Sequence, residues 1–239
     1  MSKLEKKIMT KNVLILGASS DIGKNVIRRF LEAGYNVYAH YNSQKPKINS
    51  KKVKILKNNF ERIDDYKKFL NKISKVSFSS FVSLIGYIDN YELEKTNFKI
   101  LDKSLKINFI FPVLISNMIS QKMVKNNFGR ILHCSSIGVK FGGGMNTYTY
   151  SLSKHCLEFI PQHFKKKSKH NVLYNVLRIG VTDTKIHNKI SKKNLKSRVL
   201  KIPMQRIAKP EEIAEYIFYL TSKKNSFITN QVLSISGGE

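Results

Sequence analysis

The stretch Val13-Leu14-Ile15-Leu16-Gly17-Ala18-Ser19-Ser20-Asp21-Ile22-Gly23 decides the fold. Four consecutive branched aliphatic residues ending at a glycine read as a strand buried on both faces, since a half-exposed strand would alternate with polar residues. An amphipathic run from Ile22 to Ala33 follows at once, so the chain passes from strand to helix through a short glycine-bounded loop. Gly17 permits the tight turn, and Gly23 permits close approach of the helix. The first helical turn offers unpaired N–H groups to an anion. Ser19 and Ser20 add hydroxyl donors, and Asp21 is expected to cap free amides at the helix start. Gly17, Ser19, Ser20, Asp21, Ile22 and Gly23 are therefore candidate contacts for a pyrophosphate.

The same pattern continues outward along the chain. Apolar runs at Val53–Leu56, Phe81–Ile85, Arg130–Cys134, Leu173–Leu177 and Gln231–Ile235, with Asn36–His40, predict further strands. Between them, Asp64–Ile73, Leu101–Val124, Ser151–Lys166 and Pro210–Thr221 predict helices. Strands alternating with helices, without strict polar alternation in the strands, imply an α/β fold: a doubly wound parallel seven-stranded sheet with helices on both faces. No linker or repeat divides the chain, so 1–239 reads as one domain with a basic extension at 1–10. Such sheets bind ligands beyond the carboxyl ends of their strands, and candidate chemistry is sought there.

After the fifth strand comes Leu132-His133-Cys134-Ser135-Ser136, and later Tyr150-Ser151-Leu152-Ser153-Lys154. A Tyr and a Lys four apart on a helix share one face. Lowering a phenol from pKa near 10 to roughly 7 takes about 4 kcal/mol. One ammonium about 4 Å away in a medium of intermediate polarity supplies energy of that order. The pair therefore suits a tyrosine acid/base. Tyr148 has Leu152 at its fourth successor and lacks the partner.

The composition bounds the rest. The net charge is +27 and 41% of residues are hydrophobic. The charge would suit an anionic partner, but it is mostly lysine spread along the chain. Its densest clusters, Lys165-Lys166-Lys167 and Lys192-Lys193, lack the interleaved aromatics of a base-stacking surface. Nucleic-acid binding is not expected. Two cysteines, Cys134 and Cys156, are too few for a disulfide framework or a structural zinc site, and no metal is expected. No apolar run approaches the roughly 20 residues of a membrane helix, so a cytoplasmic location is the expectation.

The glycine loop resembles the Thr-Gly-x-x-x-Gly-x-Gly segment of the short-chain dehydrogenase/reductase family, with Leu16 for threonine and Asp21 for the middle glycine. Asn175-Val176-Leu177-Arg178-Ile179-Gly180-Val181-Thr182-Asp183-Thr184 is similar to the family's Asn-x-x-x-Pro-Gly-x-x-x-Thr segment. Arg206-Ile207-Ala208-Lys209-Pro210-Glu211-Glu212-Ile213-Ala214 looks like the segment before its last helix. The resemblance runs from about Lys11 to Glu239 and implies a Rossmann-type fold. It implies that Ser136 holds a substrate carbonyl oxygen, Tyr150 donates its proton, and Lys154 binds the nicotinamide ribose and lowers the phenol pKa. Asn108 would complete a proton relay, and Thr184 would contact the nicotinamide amide. Ser135 is the fallback for Ser136, because the interval to Tyr150 is one residue longer than in relatives; Gly142-Gly143-Gly144 can absorb it.

Enzymes of this kind that prefer NAD place a carboxylate at the end of the second strand. Here His40-Tyr41-Asn42-Ser43 is followed by Lys45 and Lys47 without an acid. That favours NADP(H) over NAD(H), with Tyr41, Asn42 and Ser43 as contacts. Asn59, after the third strand, is assigned to the adenine, and Gly86 to the cofactor after the fourth. One departure stands out: the family's Asn-Asn-Ala-Gly is Ser83-Leu84-Ile85-Gly86. The expected activity is ketone–alcohol interconversion on a small or carrier-linked carbonyl, as in 3-oxoacyl-(acyl-carrier-protein) reductases. The alternatives are a nucleotide-linked or phosphorylated sugar, the pocket region after Thr184 (Ile186, His187, Ile190) being rich in lysine, or a homologue that binds NADP without turnover. A homotetramer is expected, ahead of a dimer.

Overall fold

The computed structural model describes residues 11–186 and 195–239; the basic extension and His187, Ile190, Lys192 and Lys193 lie outside the described residues. Seven strands, β1 (Asn12–Leu16), β2 (Asn36–Tyr41), β3 (Val53–Lys57), β4 (Ser80–Ser83), β5 (Gly129–Ser136), β6 (Val172–Ile179) and β7 (Val232–Ile235), form one sheet in the order β3-β2-β1-β4-β5-β6-β7. Every pairing is parallel. The period-two alternation of a strand explains why β1 is apolar throughout. Val13 and Ile15 enter the core under one face, while Leu14 and Leu16 enter the core under the other.

The first core is closed by α1 (Asp21–Glu32) and α8 (Pro210–Thr221), whose Val26, Ile27, Phe30, Ile213, Ile217 and Phe218 are buried. The second is closed by α2 (Ile63–Ile73), α4 (Phe111–Lys125) and α6 (Gln162–Lys167) through Phe69, Ile73, Ile115, Ile119, Met123 and Phe164. The helices α5 (Tyr148–Cys156) and α7 (Leu195–Val199) send Tyr150, Lys154 and Arg198 to the cleft, and α3 (Phe98–Leu105) packs against α5. The order reverses at β1, which pairs with β2 on one side and β4 on the other, and the cleft opens at this switch point.

Two expected elements differ. The helix foreseen over Ser151–Lys166 is two helices, α5 and α6, with Pro161 as the N-cap of the second. Pro161 has no N–H for a helical bond and disfavours the α conformation at Ile160. The fourth strand ends at Ser83, not Ile85. Leu84 N–H still donates to the Leu16 carbonyl at 2.8 Å, but the Ile85 carbonyl is taken by Lys154.

The continuous helical stretch Phe98–Lys125 is long enough, and with a mean hydropathy of 1.2 over its best window apolar enough, to cross a bilayer. Lys99, Asp102, Lys103 and Lys106 interrupt it, so it contains no unbroken apolar run of that length. Half of the window is buried inside the protein, where α4 packs on the sheet. Its apolarity thus serves the core. Between α3 and α4 the helix widens to a π turn at Lys106–Ile110, a feature that exposes backbone groups and recurs at functional sites.

Candidate active site

A cleft of about 1530 Å³ runs along the carboxyl ends of the strands. It is lined from the first loop by Gly17, Ser19, Ser20, Asp21 and Ile22, and from the second strand's end by Asn42 and Ser43. Asn59, Gly86, Ser136, Tyr150, Lys154 and Thr184 complete its wall. Gly17 has φ +76°, and a Cβ there would lie 2.8 Å from the Leu84 carbonyl carbon, so no side chain fits. Gly23 stands just behind the wall, pressed on the Gly17 and Ala18 carbonyls.

Ser20, rather than Asp21, caps α1: its Oγ accepts from Gly23 N–H at 3.0 Å, while Asp21 begins the helix itself. Asp21 instead accepts from the Lys185 backbone N–H at 3.1 Å and pairs with Lys24. These contacts, against some burial, hold its carboxyl below the usual range. The aspartate thereby joins the first loop to the segment after β6.

Tyr41 does not line the cleft, nor do Lys45 and Lys47. Side chains alternate along β2, so His40 and Asn42 share the cleft side and Tyr41 faces away. His40 is a contributor the sequence reading passed over. Its Nδ1 accepts from Gly17 N–H at 3.3 Å, and its Nε2 lies 3.1 Å from the Asn58 carbonyl, which fixes the Nε2–H tautomer. Burial pushes this imidazole down to about 4, so it holds the first loop as a neutral ring.

Asn58 was also missed, in favour of its neighbour. It lines the cleft, is buried, and its Nδ2 has no hydrogen-bond partner. Asn59 is exposed and its Oδ1 is engaged by the Glu61 N–H. The signal was available in the strand period: Leu56 is buried, so Asn58 points the same way. A buried donor without a partner is costly, and the Gly17 cradle, shut to any Cβ, stands beside it across the His40 ring. These are features of a site shaped for a dinucleotide.

At the far end, Tyr150 and Lys154 project from α5 toward the cleft, with the Lys154 Nζ 5.8 Å from the phenol ring centre. Lys154 donates to the Ile85 carbonyl at 2.6 Å and the Cys134 carbonyl at 2.7 Å. An ammonium has three donors, which leaves one for a ligand. Ser136 hydrogen-bonds the Tyr150 phenol. The Ser135 hydroxyl is engaged away from the phenol, 2.8 Å from Glu158 Oε1 and 3.2 Å from the Lys154 carbonyl. Within Gly142-Gly143-Gly144 the chain lies close on α5, where a Cβ on Gly143 would run into Ser151 Oγ.

The electrostatics differ from the expectation. Burial pushes the Tyr150 phenol up to about 12, against the Ser136 hydrogen bond. Burial likewise pulls the Lys154 ammonium down to about 8. Desolvation disfavours both charged forms, and at 5.8 Å the ammonium alone does not overcome it. Asn108 sits in the π turn, fully buried, and does not line the cleft. Its side chain accepts from Tyr87 N–H at 2.8 Å and donates to the Tyr87 carbonyl and Ser153 Oγ, each at 2.9 Å. It braces the loop after β4, where Leu84 packs half-buried on the first core.

Apart from the cleft-lining stretch up to Thr184, the tail motifs hold elements together. Asn175 donates to the Ile228 carbonyl and accepts from Gln231 N–H, joining β6 to the last strand. Glu212 receives both terminal nitrogens of Arg206 and the Lys209 N–H at the start of α8.

The fold and cleft define a doubly wound oxidoreductase architecture with a Ser-Tyr-Lys centre. A family model described as enoyl-(acyl carrier protein) reductase matches residues 17–239, and the chain belongs to the short-chain dehydrogenase/reductase family of enzymes that this model represents. Curated relatives include an uncharacterised oxidoreductase of Bacillus subtilis, 26% identical over 96% of this chain and 99% of its own. A 3-oxoacyl-[acyl-carrier-protein] reductase of Buchnera aphidicola is 27% identical over 97% of this chain and 98% of its own. Among solved structures, a 3-oxoacyl-(acyl-carrier-protein) reductase from Agrobacterium tumefaciens with NADP bound has a TM-score of 0.81 at 19% identity, covering 96% of this chain and 94% of the other.

Proposed function

We propose that this enzyme is an NADP(H)-dependent reductase of 3-oxoacyl thioesters, with Tyr150 as proton donor. The observation that carries the reading is the convergence of the Tyr150 phenol, the Ser136 hydroxyl and the Lys154 ammonium on one end of a cleft whose other end is a glycine cradle. Gly17, Ser19, Ser20 and Ile22 would hold a pyrophosphate, Asn58 the adenine and Thr184 the nicotinamide. The absence of an acid after β2, with Asn42 and Ser43 on the wall, supports NADP(H) over NAD(H). When bound, the cofactor supplies hydride to the carbonyl carbon.

The chain's own part is orientation and proton delivery. Ser136 and Tyr150 present two hydroxyls to one carbonyl oxygen, and the phenol proton passes to that oxygen as charge develops on it. A phenol held near 12 is protonated at every physiological pH, so the donor form is the resting form. Lys154, anchored by two carbonyls, stabilises the phenolate left behind. The 3-oxoacyl preference rests on relatives such as the Buchnera aphidicola reductase, and the basic surface suits an acidic carrier. The same reading takes α4 and the helices after β5 as the faces where copies of the chain pair into a tetramer.

The test is a substrate panel with NADPH: a 3-oxoacyl carrier thioester, acetoacetyl-coenzyme A and a nucleotide-linked keto-sugar. Turnover of the thioesters at least tenfold faster supports the reading. Preference for the keto-sugar would move the substrate class to surface glycans, and no NADPH oxidation with any of them would overturn it.

A further inference from the structure

The helix that carries Tyr150 and Lys154 is short. It ends at Cys156, and Pro161 prevents the next segment from continuing it. Something other than helical continuity must hold its C-terminal end against the sheet. Glu158, two residues beyond that end, has a side chain only 6% exposed. It receives Arg178 through two bonds, Nε to Oε1 at 2.8 Å and Nη2 to Oε2 at 2.5 Å. Ser135 donates to the same carboxylate at 2.8 Å and reaches the Lys154 carbonyl at 3.2 Å. Ser135 and Arg178 are direct partners in the β5–β6 register.

One carboxylate thus ties together the strand end before Ser136, the strand end before Gly180, and the helix turn bearing Lys154. A bidentate guanidinium–carboxylate pair fixes orientation as well as distance. His155 is the other titratable neighbour, 3.9 Å from Oε2 and well exposed.

We propose that Glu158 and Arg178 are positioning residues for the proton-donor centre: the pair sets the height and rotation of α5, and so the distance from Lys154 Nζ to Tyr150. Neither touches the reacting atoms. The inference rests on the reading of Tyr150 as proton donor, and its test also includes a measurement independent of turnover.

The variants are Arg178→Lys, which keeps the charge and loses the fork, and Glu158→Gln, which keeps the shape and loses the charge. The first measurement is the phenolate titration of Tyr150, obtained as the absorbance difference from Tyr150→Phe, with NADP⁺ present. The second is kcat and KM for acetoacetyl-coenzyme A with NADPH. In Arg178→Lys the Tyr150 titration is expected to move up by about one pH unit as the ammonium loses its place. The kcat should fall about tenfold with KM within about threefold, while the thermal midpoint and NADPH affinity stay near those of the parent. A folded Arg178→Lys or Glu158→Gln protein with unchanged titration and kcat would overturn the proposal. If the parent reduces no carbonyl, the oxidoreductase reading fails by itself, and the titration still decides whether the pair positions Lys154.

Discussion

At the scale of single residues, burial sets the chemistry of this cleft. Two imidazoles inside the protein are neutral for that reason: His40 is pushed down to about 4 and His133 to about 3. An unfolded histidine titrates near 6.5, so below that pH the unfolded chain binds protons that the native chain refuses. The stability these rings contribute is complete above pH 6.5. As pH falls through the window down to 4 and 3, each ring removes about 1.4 kcal/mol per unit. Urea unfolding at pH 7 and pH 5 should show this loss, and a flat profile would mean the rings are not held neutral. Gly17 makes a second residue-scale prediction. Its positive φ and the 2.8 Å approach to Leu84 leave no room for a methyl group. Gly17→Ala should weaken NADPH binding at least tenfold, measured by cofactor fluorescence, in a protein that still folds.

At the scale of elements, the sheet was legible because buried strands announce themselves. All seven runs predicted from apolar patterning are strands, and the loop from Gly17 to Gly23 lies beyond the carboxyl end of the first of them, where the pattern placed it. What was not legible depended on contacts between elements. The break before α6 could have been read from Pro161, but the ion pair of Glu158 with Arg178 that holds α5 joins residues 20 apart in the chain. Asn59 lines the cleft as read, but Asn58 joins it there as the buried one of the two, which strand phase, not residue type, tells. Tyr41 was included for the same reason in reverse. The altered Ser83-Leu84-Ile85-Gly86 segment is compensated from the π turn, where Asn108 holds both backbone groups of Tyr87. Asn108→Ala should cost about 1–3 kcal/mol of stability, the penalty for leaving buried partners unsatisfied, and should lower kcat by loosening that loop. Denaturant unfolding and steady-state kinetics measure the two effects.

At the scale of the whole molecule, the net charge of +27 and the cleft make separate demands. If the proposed carrier-protein substrate is drawn in by that charge, its KM should rise with ionic strength, while the KM for a coenzyme A thioester should change much less. Equal salt dependence for the two would remove the carrier from the account. The cleft's demand is chemical: on the proposed reading Tyr150 gives up its proton beside a bound nicotinamide, although burial in the free protein holds that phenol near 12. The most direct measurement is the rate of NADPH oxidation by acetoacetyl-coenzyme A in the parent enzyme and in Tyr150→Phe, with NADPH affinity determined for both. A loss of about 10²–10⁴-fold in kcat, with affinity kept, is the expected result for removing a general acid. Equal rates in the two proteins would contradict the assignment of Tyr150 as the proton donor.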